Sequence, residues 1–337
     1  MNNHKQSVQR QSAVDLTDLP LSIRGLSVGV VDYPDAPLLD SVYLDVRRGE
    51  TVGLVGESGS GKSLTCMAIL NLLPPSLSVD GEILLGGENV RTMSQKRLRE
   101  IRGTKAAMIF QEPMSSLNPV LTVKQQIFES LREPKYVTKE QKQARAIELL
   151  NLVGINQPER RLHQYPHEFS GGMCQRIMIA IAMAGDPEVL IADEPTTSLD
   201  VTIQAQVLLL LKEVTSHLGM AMLLVSHDLG VIAQNCDRVA IMYAGRIVEE
   251  GPVEKIFSSP THPYTEGLLR SLPSIDGVWQ RLPSLPGSVP TVTSMPTGCR
   301  YNPRCPLSID RCSVDVPVLN EVSGNHFVAC WVKGSKS

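Results

Sequence analysis

From Leu21 onward the apolar positions of this chain switch repeatedly between a period of two and a helical period. The segments LSIRGLSVGVV (21–31) and VYLDV (42–46) alternate apolar and polar residues, the pattern of half-buried strands. TVGLVG (51–56) is a near-continuous apolar run entering a glycine-rich stretch, as a fully buried strand would. KSLTCMAILNLL (62–73) reads as a helix, bounded by Pro74-Pro75. AAMIF (106–110) reads as another buried strand running into Gln111. Strand and helix alternating in this way predict an α/β fold with a parallel sheet.

Between about residues 120 and 184 the pattern turns mostly helical. Thr138 followed by Gln141 makes a capping box, and ARAIELLNLV (144–153) carries apolar residues at helical spacing up to Gly154. Strand signals resume at EVLIAD (188–193). The helical run VTIQAQVLLLLKEVTSHL (201–218) follows, then the strands AMLLVS (221–226) and RVAIMYAG (238–245). A helical insertion within an α/β core is the expected architecture.

After Phe257 proline recurs at 260, 263, 273, 283, 286, 290, 296, 303, 306 and 317, which disfavours long helices and central strands. The expected division is a mobile tail over 1–20, a main domain over 21–257 with a helical subdomain at about 120–184, and a loop-rich extension over 258–337. That extension has little capacity for a core of its own, so a covalent or metal staple is expected there. No internal repeat is evident.

Composition narrows the function classes. The 337 residues carry 32 Lys+Arg against 35 Asp+Glu, a formal charge of -3, which gives no general affinity for polyanions such as nucleic acid. The first residues are polar and do not read as a secretory signal. The strongest apolar runs, 177–184, 207–211 and 220–225, fall far short of the roughly 18–20 residues that span a bilayer. The expectation is a soluble, cytoplasmic chain that meets a membrane only through a partner. Cys66, Cys174 and Cys236 sit in apolar or nucleotide-proximal segments and read as packing thiols.

The chemistry concentrates in three segments. GESGSGKS (Gly56–Ser63) fits G-x-x-x-x-G-K-[ST] with a strand before and a helix after it. Gly59 and Gly61 let the backbone of Gly56, Ser58, Gly59, Ser60 and Gly61 form a nest of N–H donors for phosphates. Lys62 is placed to reach the β/γ-phosphates of ATP, and Ser63 to ligate Mg2+. In VLIADEP the strand delivers Asp193 to the Mg2+ side, while Glu194 is the candidate for polarising the attacking water. FSGGMCQR (Phe169–Arg176) is a second glycine-rich turn just ahead of that acidic strand end.

With these segments in order, residues Leu21–Gly251 resemble the ATP-binding subunits of ABC transporters, with a P-loop ABC ATPase core of β-rich and helical subdomains. Gly56–Ser63 is similar to the Walker A loop, Gln111 to the Q-loop, Ser170-Gly171-Gly172 to the signature, and Asp193-Glu194 to Walker B. Ser198–Asp200 resembles the D-loop, and His227 the switch histidine. The resemblance implies that Ser170, Gly171 and Gly172 of one subunit face the γ-phosphate held by another. His227 would contact that phosphate and the attacking water, and Gln111 would sense Mg2+ and the helical subdomain. Tyr33, 29 residues before Lys62, is a candidate for stacking on adenine; Tyr43 competes with it, and core packing remains open for both.

Phe169 and Met173 depart from the general LSGGQ signature towards the form of the oligopeptide/dipeptide importer branch. Cys174 stands where that branch usually has an arginine. SPTHPYTEGLL (259–269) is similar to the branch's His-Pro-Tyr segment. Cys299, Cys305, Cys312 and Cys330 resemble the pattern at which branch members hold a [4Fe-4S] cluster; zinc, with His326 as a possible ligand, and unligated thiols are the alternatives. The implied assembly is a heterodimer with a paralogous ATPase, two permease subunits and an extracytoplasmic solute-binding protein, at the cytoplasmic face of the cell membrane. Di- or oligopeptides are the implied cargo, with nickel, opines and sugars left open. An iron or redox sensor in the extension could coexist with transport. A non-transport ABC ATPase acting on DNA or ribosomes is the rival class. Its usual coiled-coil arms, zinc hairpins and fused second ATPase domain have no counterpart in this sequence.

Overall fold

A computed structural model of the chain describes residues 19–31, 33, 36–111, 116–131, 135–197, 199–271 and 285–334. The tail expected over 1–20 therefore lies almost wholly outside the described residues, as does Ser198. Two sheets form the framework. The smaller is antiparallel, in the order β2 (Leu39–Val46), β1 (Leu21–Val30), β4 (Leu77–Leu85), β5 (Glu88–Asn89). The larger contains β3 (Thr51–Val55), β6 (Ala106–Ile109), β7 (Val189–Asp193), β8 (Ala221–Ser226), β9 (Arg238–Tyr243), β10 (Arg246–Pro252), β11 (Asn320–Ser323) and β12 (His326–Val328). Its order is β11-β12-β10-β9-β3-β8-β7-β6, parallel from β9 through β6 and antiparallel from β10 outward.

The apolar runs at β7, β8 and β9 reflect burial on both faces, since alternate residues enter different cores. Ile191, Leu223, Val225, Ala240 and Met242 pack with the antiparallel sheet. Ala192, Leu224, Val239, Ile241 and Tyr243 pack on the opposite side. This is the signature of a doubly covered parallel sheet.

The helical insertion has a core of its own. It is built from the helices Val123–Ser130, Lys139–Leu152 and Gly171–Met183. Thr138 caps the second of these, with Gln141 closing the box through its side chain. A reciprocal cap of this kind stabilises a helix start by about 1 kcal/mol. The same geometry recurs at Thr122 and Gln125.

One helix ends earlier than its flanking prolines suggest. The helix begun at Lys62 stops at Ile69, because Asn71 enters the left-handed region (φ 52°) and the Leu72 N–H bonds back to Met67 O. Pro74-Pro75 therefore follows a termination already made by a C-cap turn.

Among the described residues the segment after Phe257 forms no separate core, but it does not stand apart. Strand β12 pairs with β10 through Glu249↔Val328 and Glu250↔Phe327. Tyr264, Tyr301, Cys299 and Cys305 pack into the cluster that contains Val55 and Ile241. Glu249 is fully buried, and its carboxylate accepts the N–H groups of Thr261 and His262 at 2.7 and 3.0 Å. It also lies 2.7 Å from His326 Nε2. His262 accepts the Tyr264 N–H on Nδ1 at 3.1 Å, and burial lowers its pKa to about 4. A neutral ring suits that acceptor role. The extension thus contributes to the main core instead of supplying a second one.

Candidate active site

The site forms at the carboxyl ends of the parallel strands, where open α/β sheets bind ligands. Strand β3 ends at Val55, in register with Ser226 of β8, while Asp193 of β7 is in register with Val225. The Gly56–Gly61 loop then leads into the Lys62–Ile69 helix.

Close approach dictates the glycines. A Cβ on Gly56 would sit 2.1 Å from Met242 O, and Gly61 combines φ 106° with a would-be Cβ contact of 2.6 Å to Leu39. Gly245 N–H donates to Ser60 O at 2.7 Å, fixing the loop from below. The helix start carries no side-chain cap and no acidic residue in its first turn. Its N–H donors and positive dipole end suit a bound anion.

Lys62 is buried, with Nζ donating to Gly56 O at 2.8 Å and Glu57 O at 3.1 Å. Burial lowers the pKa of this amine, opposed by the carboxylates of Glu194 and Asp193. Asp193 is buried as well; burial and the Glu194 charge raise its pKa, while a hydrogen bond from Ser63 Oγ at 3.2 Å counters them. A hydroxyl beside a carboxylate at this spacing is a donor set that fits a hard cation such as Mg2+.

Glu194 gathers the remaining polar groups. Its φ of 47° is left-handed, a conformation that costs a non-glycine residue roughly 1–2 kcal/mol. Its N–H donates to Val225 O at 3.1 Å. The turn aims the carboxylate so that Oε2 accepts from Gln111 Nε2 at 3.0 Å and Thr197 Oγ1 at 3.0 Å, and lies 3.3 Å from His227 Nδ1. The His227 ring, which follows β8, is 64% exposed. Lys62, Ser63, Gln111, Asp193, Glu194 and His227 therefore come together at this end of the sheet.

Other predicted residues lie apart. Ser170 caps the Gly171–Met183 helix, its Oγ accepting the Met173 N–H at 3.4 Å. Among the described residues no hydrogen bond or ion pair joins Ser170, Gly171 or Gly172 to the Gly56–Ser63 loop. Ser170 and Gly171 are exposed. Gln175 of the same helix donates to Pro195 O, tying it to the turn after Asp193-Glu194. Asp200 caps the Val201–His217 helix through Ile203 N–H at 2.9 Å. Tyr33 is 51% exposed, whereas Tyr43 is half-buried and packs over Gly25. Cys174 is fully buried with Sγ 3.5 Å from Pro166 O, so its side chain points into the helical core and not outward from the turn.

At the C-terminal end, Cys299, Cys305, Cys312 and Cys330 are all free thiols. The Cys299 N–H donates to Cys312 O at 2.8 Å. Burial, with the nearby Cys312, Cys305 and Cys330 thiols adding to it, pushes the Cys299 pKa up to about 11. Among the described residues, no three His, Cys, Asp or Glu side chains are gathered about one point as a metal-ion site. His326, the ligand considered for zinc, is instead engaged by Glu249.

Comparison with known proteins decides the family. The ABC transporter family model matches residues 39–197, and the model described as "Oligopeptide/dipeptide transporter, C-terminal region" matches 248–312. A protein of Sinorhizobium fredii described as a probable peptide ABC transporter ATP-binding protein is 49% identical over 318 residues, covering 93% of this chain and 95% of the relative. The chain belongs to the ATP-binding subunits of ABC transporters.

An oligopeptide transport ATP-binding protein of Bacillus subtilis is 48% identical over 298 residues, 88% of this chain and 91% of its own length. Among solved structures, the ABC transporter subunit CbiO1 of Clostridium perfringens aligns with a TM-score of 0.62 at 27% identity, covering 72% of this chain and 92% of that one. The ATP-binding cassette MJ0796, solved as a dimer bound to ADP and Pi, aligns with a TM-score of 0.60 at 26% identity, covering 69% and 98%. This ABC ATPase subunit therefore has the P-loop α/β fold expected of it, and ATP hydrolysis is its activity. No helix among the described residues is long and apolar enough to cross a membrane.

Thr197, which holds Glu194, was not predicted from sequence. A threonine three residues beyond an acidic strand end gives no signal until the left-handed turn at Glu194 brings it back.

Proposed function

We propose that this chain is the ATP-hydrolysing subunit that powers an ABC importer of di- or oligopeptides or similar small solutes. The observation that carries the reading is one chain joining the converged Lys62/Asp193/Glu194 site to a C-terminal region of the oligopeptide/dipeptide transporter type. Gly56, Ser58, Gly59, Ser60, Gly61 and Lys62 hold the ATP phosphates. Ser63, Gln111 and Asp193 surround Mg2+, and Tyr33, exposed beside β1, stacks on adenine. Glu194 orients the attacking water while His227 holds the γ-phosphate side.

Ser170, Gly171 and Gly172 serve the second chain's nucleotide, which agrees with the exposure of Ser170 and Gly171 and with the lack of any hydrogen bond from the three to this chain's own loop. Asp200 lies at the same junction. The second ATPase is a paralogous subunit, and the pair docks on two permease subunits fed by an extracytoplasmic binding protein. The chain then sits peripherally at the cytoplasmic face of the membrane. Residues 21–257 act as the nucleotide-binding domain, with 120–184 as its moving lobe, and 258–337 as the branch-specific extension.

The four C-terminal thiols are the residues that would hold a [4Fe-4S] cluster. Soft thiolates suit iron–sulfur chemistry, and a cluster takes one cysteine at each iron. Zinc, which takes four Cys or His ligands about one point, is the alternative occupant. Anaerobically purified protein is expected to be brown, with broad absorption near ~400 nm; colourless protein with stoichiometric zinc contradicts this part. The transport reading is tested by labelled-peptide uptake in a strain lacking this subunit. Wild-type chain restores uptake, and unchanged uptake in the deletion strain contradicts the cargo class.

A further inference from the structure

Glu57, the second residue of the phosphate-binding loop, is gripped from the C-terminal segment. Arg304 holds its carboxylate with both guanidinium branches, Nη1 to Oε2 at 2.7 Å and Nη2 to Oε1 at 3.0 Å. Its N–H donates to Tyr264 Oη at 2.9 Å, and its carbonyl is one of the two acceptors of Lys62 Nζ. The Arg304 side chain is only 6% exposed. Nε donates to Pro286 O at 2.7 Å, and the guanidinium lies 5.6 and 5.9 Å over the rings of Tyr243 and Tyr301. A bidentate pair with a fixed, stacked guanidinium is among the more rigid polar contacts available.

A second grip comes from the same short loop. Arg300 donates to Ala244 O, and to Pro37 O and Asp40 Oδ2 at 3.1 Å each. The neighbouring Gly245 N–H donates to Ser60 O. Both arginines lie between Cys299 and Cys305, whose side chains pack into the core beneath β3 and β9.

We propose that the Cys299–Cys305 loop positions the phosphate-binding loop, with Arg304 as a positioning residue that acts through Glu57. The proposal rests on Gly56–Ser63 being the ATP phosphate site. A carboxylate at the second position of an anion cradle repels a triphosphate unless it is neutralised and turned away. Arg304 does both, and its strength reaches the phosphates without touching them. The effect falls on nucleotide affinity, because the groups that hold the Glu194 carboxylate are Gln111, Thr197 and His227, and none of them bonds to Glu57.

The test uses the full chain and MgATP. Arg304→Ala is expected to raise the Kd for MgATP and the KM of hydrolysis about tenfold, with kcat at saturating ATP changed less than about threefold. Adding Glu57→Gln to Arg304→Ala should recover most of the lost affinity, because no unpaired carboxylate remains. Arg304→Lys, which keeps the charge but not the fork, should fall between the two. If Arg304→Ala does not yield folded chain, Arg304→Lys with and without Glu57→Gln carries the same comparison. An unchanged Kd, a fall in kcat without a change in Kd, or a double variant no better than its parent overturns the proposal. A purely structural arginine would lower thermal stability and leave the Kd of the folded fraction unmoved. Should the phosphate site itself be misplaced, Lys62→Ala would keep its activity; should only this proposal fail, Lys62→Ala would be inactive and Arg304→Ala normal.

Discussion

Lys62→Ala is expected to lower ATP hydrolysis by at least about a hundredfold, because preorganised charge at a transferring phosphoryl group is commonly a dominant catalytic contribution. Lys62 is held in place before any ligand arrives. Its amine bonds to the carbonyls of Gly56 and Glu57, and Asp193 and Glu194 sustain its charge against burial. Alanine leaves the glycine turns intact, so the loss should be in phosphate stabilisation and not in folding. Phosphate release by the assembled transporter, alongside a thermal melt of the variant, separates the two. Wild-type turnover in the variant would mean that the Gly56–Ser63 loop is not the phosphate site.

Glu194→Gln should preserve ATP binding while slowing hydrolysis by about a hundred- to ten-thousandfold, the range of a positioned general base. The geometry makes this a clean variant. The side chain is held by Gln111, Thr197 and His227, and its strained backbone is anchored to Val225, so an isosteric amide keeps most of its surroundings. With hydrolysis blocked, ATP should hold this chain closed against the second ATPase subunit proposed above. Size-exclusion chromatography with light scattering should show an ATP-dependent species of doubled mass with the second subunit present. Normal hydrolysis by the variant would assign water positioning to another group.

Much of this site is legible in the sequence because its chemistry is local. A glycine loop between an apolar strand and a helix can be read without knowing the fold, and so can an Asp-Glu pair closing an apolar strand. The capping box at Thr138 and Gln141 is equally short-range. What escapes the sequence is what long-range pairing creates. Arg304 and Glu57 are separated by 247 positions. Nothing in GCRYNPRCP marks which arginine turns back to the phosphate loop. Likewise β12 joins the main sheet beside β10, with His326 against the buried Glu249, two polar residues that a hydrophobic pattern reads as surface. The expectation that the extension needs a staple for want of a core follows from counting its own apolar residues. Tyr264 and Tyr301 show that it also shares a core already built, which such a count does not register. Cys174, conspicuous in the sequence as a departure within the signature, lies on the buried side of its helix.

These particulars bear on coupling. Gln111 touches Glu194 at the edge of the helical lobe, and Gln175 ties the signature helix to Pro195. A change at the γ-phosphate therefore has two short polar routes into the lobe proposed to push on the permeases. Such coupling requires that each nucleotide state favour one lobe position over another.

The most direct measurement is ATP hydrolysis by the complete transporter reconstituted in vesicles, with its binding protein either empty or saturated with peptide. The predicted result is a rate that rises when peptide-loaded binding protein is present, together with labelled peptide accumulating inside the vesicles in step with phosphate release. Hydrolysis that is indifferent to peptide, with no peptide accumulating, would contradict the account.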